Sequence, residues 1–228
     1  MGDDEDPNLR LLALSDGVIA VAITLLVLDI RLPEGFGEYS DGALWSALVG
    51  LWPRLLAYLL SFYVIANFWM SHRSKFEHIV RTDGRLMWIN MLFLLTVGLV
   101  PFTTNLIAES GGTIATMIYA ASMVVSGLAL AGIWLYASAN KLIDPRLTLE
   151  ERREHLQATL LMSLIFGISI PLSIAHADGA KYFWIALWPA GILLRWWARY
   201  RWNREHPGVP YPRRMRGDKG GDTDIAAT

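Results

Sequence analysis

The sequence predicts an all-α protein that crosses a lipid bilayer six times. Hydrophobic residues make up 54% of the 228 positions and charged residues 18%, whereas a soluble domain has roughly 45–50% and about 25%. Its apolar runs reach about 20 residues, the length that a helix needs to cross a bilayer. The chain has no cysteine, which excludes disulfide scaffolds and thiol catalysis. These observations predict an integral membrane protein.

Six apolar segments are long enough to serve as transmembrane helices. They cover approximately residues 9–30, 43–71, 85–109, 113–139, 156–176 and 179–200. Residues 1–8 form an acidic tail, and such a start does not suit a cleaved signal peptide, which needs positive charge before its apolar stretch. Residues 202–228 are rich in Pro, Gly and charge, a composition typical of a disordered tail. The predicted organisation is therefore a six-helix domain, 9–201, between two polar tails.

Proline and glycine predict where several of these helices end. The first segment ends before Pro33, which cannot continue a helical hydrogen-bond ladder. The second contains Pro53 and Arg54, which we expect near the outer interface, where Pro is tolerated and Arg can reach water. Gly111 and Gly112 form the short turn between the third and fourth segments. These residues therefore mark boundaries or interfaces of the first four segments.

Basic residues predict the orientation, because Lys and Arg are retained on the cytoplasmic side. The loops after the second and fourth segments contain Arg73, Lys75, Arg81, Arg85, Lys141, Arg146, Arg152 and Arg153. The opposite side has little more than Arg31 and Lys181. We expect a multi-pass protein of the cell membrane with both termini cytoplasmic. The Arg-rich C-terminal tail lies beside lipid headgroups, so we expect membrane lipid and not nucleic acid as its partner.

The first segment is unusual because Arg10, Ser15 and Asp16 interrupt its cytoplasmic half. Ionisable groups inside a membrane span are costly unless they are paired or hydrated. Trp69, His72 and Asn90, with Arg85 nearby, are placed at the same depth by the second and third segments and supply hydrogen-bond donors. We expect a polar cluster there. The sequence leaves two roles for this cluster: it holds neighbouring helices together, or it takes part in gating.

A second face of the first segment is mostly apolar. At 100° per residue, one stripe contains Ala13, Gly17, Val21, Thr24, Leu28 and Arg31. Asp16 lies about a quarter-turn away, so it is expected to pair with a neighbouring helix. A stripe of this kind more often packs against another helix than lines a pore, and the residues alone leave both readings open.

The stretch Arg10-x-x-x-Leu14-Ser15-Asp16-Gly17, followed by a helix rich in Ile, Val, Leu and Thr, resembles the first-helix signature of the transmembrane protein 175 family of potassium channels. That signature has Phe where this chain has Leu14, so the packing around the motif differs. Further family motifs are similar to Phe68-Trp69-x-x-His72, to Asn90, and to Pro101-Phe102-x-Thr104. The resemblance covers the first three segments well and the remainder by segment count.

The resemblance implies a homotetramer of six-helix subunits, of the prokaryotic single-repeat type, with the first helix lining a central pore. Val21 and Leu28 match apolar constriction positions of the family, and Thr24 matches the threonine tied to ion preference. K⁺ is then the permeant ion, and no cofactor is expected. Because the chain has no Thr-Val-Gly-Tyr-Gly filter, we expect modest selectivity from partial dehydration and a hydrophobic gate that closes by dewetting.

Two other function classes fit the sequence less well than a channel does. An enzyme is not expected, because the chain has no cysteine, no His-rich metal spacing and no phosphate-binding glycine loop. A proton- or cation-coupled secondary transporter is the alternative, since Asp16 and His72 could relay a proton. Transporters tend to show inverted repeats and broken helices at mid-depth, and this sequence shows neither clearly.

Overall fold

The computed structural model describes residues 7–32 and 40–176, with the isolated positions 179, 180, 183, 184, 200 and 204. Its helices are α1 (Pro7–Leu25), a 3₁₀ turn (Leu26–Asp29), α2 (Asp41–Gly50), α3 (Trp52–Phe76), α4 (Gly84–Gly98), α5 (Val100–Ser110), α6 (Thr113–Ala139) and α7 (Leu149–Ala175). All of them belong to one compact unit, Met1–Phe183. The second unit, Trp184–Thr228, contains few described residues.

Five stretches of this part of the chain are long and apolar enough to cross a membrane. They are Asn8–Asp29, Trp52–Phe76, Gly84–Ser110, Thr113–Ala139 and Leu149–Ala175. They correspond to the first five segments expected from the sequence. The sixth, 179–200, falls almost wholly outside the described residues, as do both polar tails and Pro33.

The second expected segment, 43–71, is wrong at its start, because the membrane-long stretch there is Trp52–Phe76; the third, 85–109, agrees with the continuous stretch Gly84–Ser110. Each contains one residue at which the helix is locally broken. The segment 43–71 comprises α2 and α3, which are separated at Leu51. Pro53 lies in the first turn of α3, where its missing N–H has no helical acceptor to lose. The segment 85–109 is interrupted at Leu99, two residues before Pro101, which cannot donate to the carbonyl one turn earlier.

The helix of the fifth expected segment is α7, which begins at Leu149, seven residues before the expected start at 156. Its N-terminus is a capping box, in which the Thr148 side chain accepts from the Glu151 N–H and the Glu151 side chain accepts from the Thr148 N–H. Reciprocal capping stabilises a helix start that apolar patterning does not mark. The first turns of α7 are charged, so the helix extends beyond its apolar part.

The helix α6 lies at the centre of the packing within this unit. It packs most extensively along α7 and also against α4 and α5, while α1 lies against α3 and α4. Gly127 of α6 lets α7 approach closely, since a Cβ atom there would collide with the Ser163 side chain. The expected turn after the third segment is present: α5 ends at Ser110 and is followed by its C-cap Gly111, whose φ of 59° is left-handed, a conformation that glycine adopts without strain.

Candidate functional site: the first helix and its polar cluster

The stripe on α1 that the helical period defines is exposed along its whole length. Val21 is 56% exposed and Leu28 is 58% exposed, whereas Ile19 on the opposite face is 1% exposed. The other members are also exposed: Ala13, Gly17, Thr24 and Arg31. The helix therefore buries one face inside the subunit and leaves the stripe for contacts that a single chain does not make.

Thr24 lies at the middle of this stripe with its hydroxyl group bonded to its own helix. Its Oγ1 donates a hydrogen bond to the Val21 carbonyl oxygen at 2.9 Å. Because the hydroxyl proton is used in this bond, the lone pairs of the oxygen remain available to an acceptor-seeking group such as a cation. Thr24 thus presents an exposed hydroxyl oxygen between two apolar positions.

Gly17 lies on the same stripe, one turn before Val21. Among the described residues no atom comes within 4 Å of the position that a Cβ would occupy. Packing inside the subunit therefore does not require glycine here. A small residue on an exposed helix face allows the close approach of another chain or a wider vestibule.

Asp16 is half-buried and pairs with a neighbouring helix, as its position on α1 predicts. The indole Nε1 of Trp69 on α3 donates to its Oδ1 at 2.7 Å. The guanidinium of Arg73 lies 5.8 Å from the Trp69 ring centroid, within range of a cation–π interaction. The Asp16 side chain therefore has a specific donor, and the ring of that donor lies beside the Arg73 guanidinium.

Ser15, Asn90 and His72 form a hydrogen-bond chain across α1, α4 and α3, and all three are fully buried. Asn90 Nδ2 donates to Ser15 Oγ at 3.0 Å, and Ser15 Oγ donates to the Leu11 carbonyl at 2.9 Å. The distance from His72 Nε2 to Asn90 Oδ1 is 2.8 Å. Since Oδ1 can only accept, Nε2 carries the proton.

The imidazole of His72 lies between two aromatic rings. It stacks on Phe76 at 4.4 Å and on Phe93 at 5.3 Å between ring centroids. The second nitrogen, Nδ1, is buried and has no hydrogen-bond partner among residues 7–32 and 40–176. This setting fixes the ring plane and the tautomer.

Three residues expected beside the cluster do not join its hydrogen bonds. Arg10, Leu14 and Arg85 are exposed. Arg10 and Leu14 line an open cavity of about 770 Å³ with Met87 and Trp88 of α4. Their positions on the helix explain this. Residues four apart, such as Leu11 and Ser15, share the buried face, whereas Arg10 and Leu14 each come one residue earlier and therefore point about 100° away from that face.

Two further polar networks were not expected from the sequence. Lys75 is 1% exposed, and its Nζ donates to Ser71 Oγ at 2.8 Å and to Thr159 Oγ1 at 2.6 Å. The four-residue spacing of Ser71 and Lys75 could have been recognised in the sequence, but nothing there indicated Thr159 of α7.

The second network is centred on buried Ser61, which forms a hydrogen bond with Tyr119 and accepts one from Thr104. Of these residues only Thr104 belongs to a motif identified in the sequence.

Asp83 caps α4 at the edge of the membrane-spanning part. Its Oδ1 accepts from the Leu86 N–H at 2.8 Å, and its Oδ2 accepts from the Tyr136 hydroxyl at 2.8 Å. These hydrogen bonds, the Leu86 bond first, lower the pKa of the carboxyl from its ordinary value of 3.8. The cap therefore links the start of α4 to the end of α6.

Comparison with known proteins places this arrangement in a family. Residues 10–101 match the model of the endosomal/lysosomal potassium channel TMEM175. A protein from Streptomyces collinus named as a potassium channel is 36% identical over 174 residues, 74% of this chain and 81% of that protein. This chain belongs to the TMEM175 family. A protein from Chamaesiphon minutus, also named as a potassium channel, is 38% identical over 133 residues, 57% of this chain and 65% of that protein.

A solved structure has the same helical arrangement. The crystal structure of a lysosomal potassium-selective channel TMEM175 homolog from Chamaesiphon minutus has a TM-score of 0.69 and 29% sequence identity. The comparison covers 79% of this chain and 93% of that one. The TMEM175 fold thus extends through most of the helices described above, including those outside the matched motifs.

Proposed function

We propose that this TMEM175 chain is a subunit of a channel that conducts K⁺ passively, with α1 lining the pathway. The observation that carries the proposal is the exposure of the Val21, Thr24 and Leu28 stripe in the single subunit. One face of α1 is already covered by α3 and α4, so the opposite face, which carries the stripe, is available to line the pathway. The potassium-channel names of the relatives support K⁺ as the permeant ion.

A pathway that is enclosed on all sides by protein needs several copies of the chain. One exposed helix face is convex and cannot surround an ion, so the copies are arranged around a symmetry axis. We propose a homotetramer in the cell membrane, with both termini cytoplasmic. Membrane lipid covers the outward faces of α6 and α7, which expose apolar residues such as Leu128, Leu161 and Leu164.

The spacing along α1 gives the pathway three successive levels. Val21 and Thr24 are three residues apart, which is about 4.5 Å along an α-helix. Leu28 lies in the 3₁₀ turn Leu26–Asp29, whose rise of about 2 Å per residue places Leu28 some 10–12 Å from Val21. A ring of Thr24 oxygens then lies between two apolar rings.

This geometry predicts how the pore discriminates and closes. An ion that passes the Val21 and Leu28 rings sheds part of its hydration shell, and K⁺ holds its water less tightly than Na⁺. The Thr24 oxygens replace part of that shell, because their protons are donated to the Val21 carbonyl. Because the sequence has no Thr-Val-Gly-Tyr-Gly filter, we expect the preference for K⁺ to be modest, and the apolar rings close the pore by dewetting.

We propose that the polar cluster positions α1. Its hydrogen bonds attach Ser15 to α4 and Asp16 to α3, so they set the rotation of α1 and therefore which residues face the axis. Asp16→Ala is expected to reduce tetramer recovery or open probability more than ion preference. A change confined to ion preference would contradict this positioning role.

Potassium flux in liposomes tests the proposal. Purified protein should dissipate a K⁺ gradient with a current and without a second ion, whereas the alternative, a coupled secondary transporter, requires one. Val21→Ser and Leu28→Ser should increase flux and reduce the preference for K⁺ over Na⁺, and Thr24→Val should change that preference. Leu161→Ser, on the α7 face and equally exposed at 58%, is the control and should behave as wild type.

A further inference from the structure

An open cavity lies between the start of α4 and the end of α6. It has a volume of about 550 Å³ and is lined by Asp83, Gly84, Arg85, Trp88, Tyr136 and Asn140. The membrane-long stretches Gly84–Ser110 and Thr113–Ala139 begin and end here, so the cavity lies at the depth of lipid headgroups. Its volume falls within the range of about 300–1,000 Å³ that small-ligand pockets occupy.

One side of the cavity presents hydrogen-bond acceptors that are held in place. The carboxylate of Asp83 accepts from the Tyr136 hydroxyl at 2.8 Å and from the Leu86 N–H at 2.8 Å. Each carboxylate oxygen accepts more than one hydrogen bond. The Nδ2 of Asn140 donates to the Tyr136 carbonyl oxygen at 2.9 Å, which anchors the amide and leaves its Oδ1 as an exposed acceptor. This side suits a ligand group that carries several N–H donors.

The other side presents donors. Arg85 and Trp88 are both exposed, Trp88 by 77%, and residues three apart lie on one side of a helix. A guanidinium group matches the oxygens of a phosphate with two parallel hydrogen bonds. An exposed tryptophan at a span end is typical of the headgroup level, and its indole N–H is a donor. The cavity thus combines an anion-binding side and a cation-binding side.

We propose that this cavity binds the headgroup of a phospholipid that carries a phosphate and a primary ammonium group, as phosphatidylethanolamine does. Arg85 binds the phosphate, and the indole N–H of Trp88 donates to an ester carbonyl of the lipid. The ammonium group donates to the Asp83 carboxylate and to Asn140 Oδ1. These contacts need a single copy of the chain, so the proposal does not depend on the assignment of α1 as the pore helix.

The pairing of both charges distinguishes this headgroup from two related ones. The ammonium of phosphatidylcholine is fully methylated and has no N–H to donate to Asp83. Phosphatidylglycerol has no cation, and its negative charge makes it the preferred lipid of a surface that acts through net positive charge. A preference for phosphatidylethanolamine over both lipids therefore reports the paired contacts and not the net charge of the region.

Native mass spectrometry of the full chain in detergent, with the three lipids at matched acyl chains, tests the proposal. Wild type should bind phosphatidylethanolamine about three- to tenfold more tightly than either of the others, the ratio expected from a hydrogen bond to a charged group. Soluble glycerophosphoethanolamine, which has the same headgroup without acyl chains, should displace little of the bound lipid at equal concentration.

Substitutions on the two sides should have different effects. Asp83→Asn still caps α4, because Asn is as good an N-cap as Asp, and should lower phosphatidylethanolamine binding to the phosphatidylcholine level. Arg85→Gln should weaken all three lipids by about three- to tenfold, because all contain phosphate. The controls are Asp144→Asn, whose carboxylate accepts from the Arg146 N–H in another loop, and Arg153→Gln, which is exposed on α7. Both should behave as wild type.

Three results would overturn the proposal. Equal binding of the three lipids by wild type, or tightest binding of phosphatidylglycerol, contradicts the paired contacts. A headgroup preference that survives Asp83→Asn and Arg85→Gln assigns the lipid to another place and leaves the cavity a structural cap only. Full displacement by glycerophosphoethanolamine at equal concentration assigns the cavity to a soluble phosphoester and refutes the lipid.

Discussion

Asn90 joins three helices through buried hydrogen bonds, and the substitution Asn90→Leu removes this junction. Its Oδ1 accepts from His72 of α3, and its Nδ2 donates to Ser15 of α1. Leucine is apolar and of similar length, so the substitution removes both bonds without leaving a large cavity. We expect the variant to be less stable and α1 to be held less firmly.

The size of the effect follows from the number of bonds. Hydrogen bonds between membrane helices contribute about 0.6 kcal/mol on average and up to about 1.7 kcal/mol. Two of them give a loss of about 1–3 kcal/mol for Asn90→Leu. Ser15→Ala removes one of the two and should cost roughly half as much. In a double-mutant cycle the two substitutions should couple by about 0.5–1.5 kcal/mol, because they share a bond.

Reversible unfolding in mixed micelles, followed by circular dichroism, measures these values. Asn67→Leu is the matched control, since Asn67 of α3 donates to the Tyr63 carbonyl of its own helix at 2.7 Å and forms no hydrogen bond to a second helix in the described part of the chain. It should change the free energy of unfolding by less than about 0.5 kcal/mol. An Asn90→Leu variant as stable as this control, or a cycle with no coupling, would refute the reasoning.

Three other perturbations test separate contacts. Trp69→Phe keeps an aromatic ring but removes the indole donor to Asp16. The melting temperature should fall by the equivalent of about 1 kcal/mol, which is less than the contribution of a fully buried hydrogen bond to a charged group. An unchanged melting temperature would count against the hydrogen bond from Trp69 to Asp16. Gly127→Ala places a methyl group against the Ser163 side chain and should destabilise by about 1–3 kcal/mol; adding Ser163→Gly should restore most of the loss, and a failure to do so would contradict the proposed clash. Because hydrogen bonds lower the pKa of Asp83 below 3.8, its ionised form adds stability above that pH and loses it as pH falls through the folded pKa. Asp83→Asn should therefore lower the melting temperature at neutral pH but not near pH 2, and an equal difference at both would contradict the assignment.

The α1 face was predictable because a single helical period determines it. Positions three and four apart share a side of the helix, so Val21, Thr24 and Leu28 fall together, and Asp16 falls on another side. The hydrogen bond from Trp69 to Asp16 agrees with that separation. In this part of the protein local spacing was sufficient to place the side chains.

The breaks at Leu51 and Leu99 were not predicted, since apolar composition continues through both and hides the change of helix. The Lys75–Thr159 bond joins residues 84 positions apart, a separation at which a single sequence contains no readable signal. The start of α7 could have been recognised from Thr148 and Glu151, whose three-residue spacing suits a capping box.

Thiol cross-linking measures directly whether α1 of neighbouring copies meets at one axis. The chain has no cysteine, so Val21→Cys or Leu28→Cys introduces a single thiol, and a disulfide requires Cα atoms within about 7 Å. Oxidation in the membrane should give linked dimers with either variant, and thiol reagents should block their current, whereas Ile19→Cys on the buried face should do neither. Unlinked Val21→Cys and Leu28→Cys with unaltered currents, or equally fast linkage through Ile19→Cys, would contradict a pathway lined by the first helix.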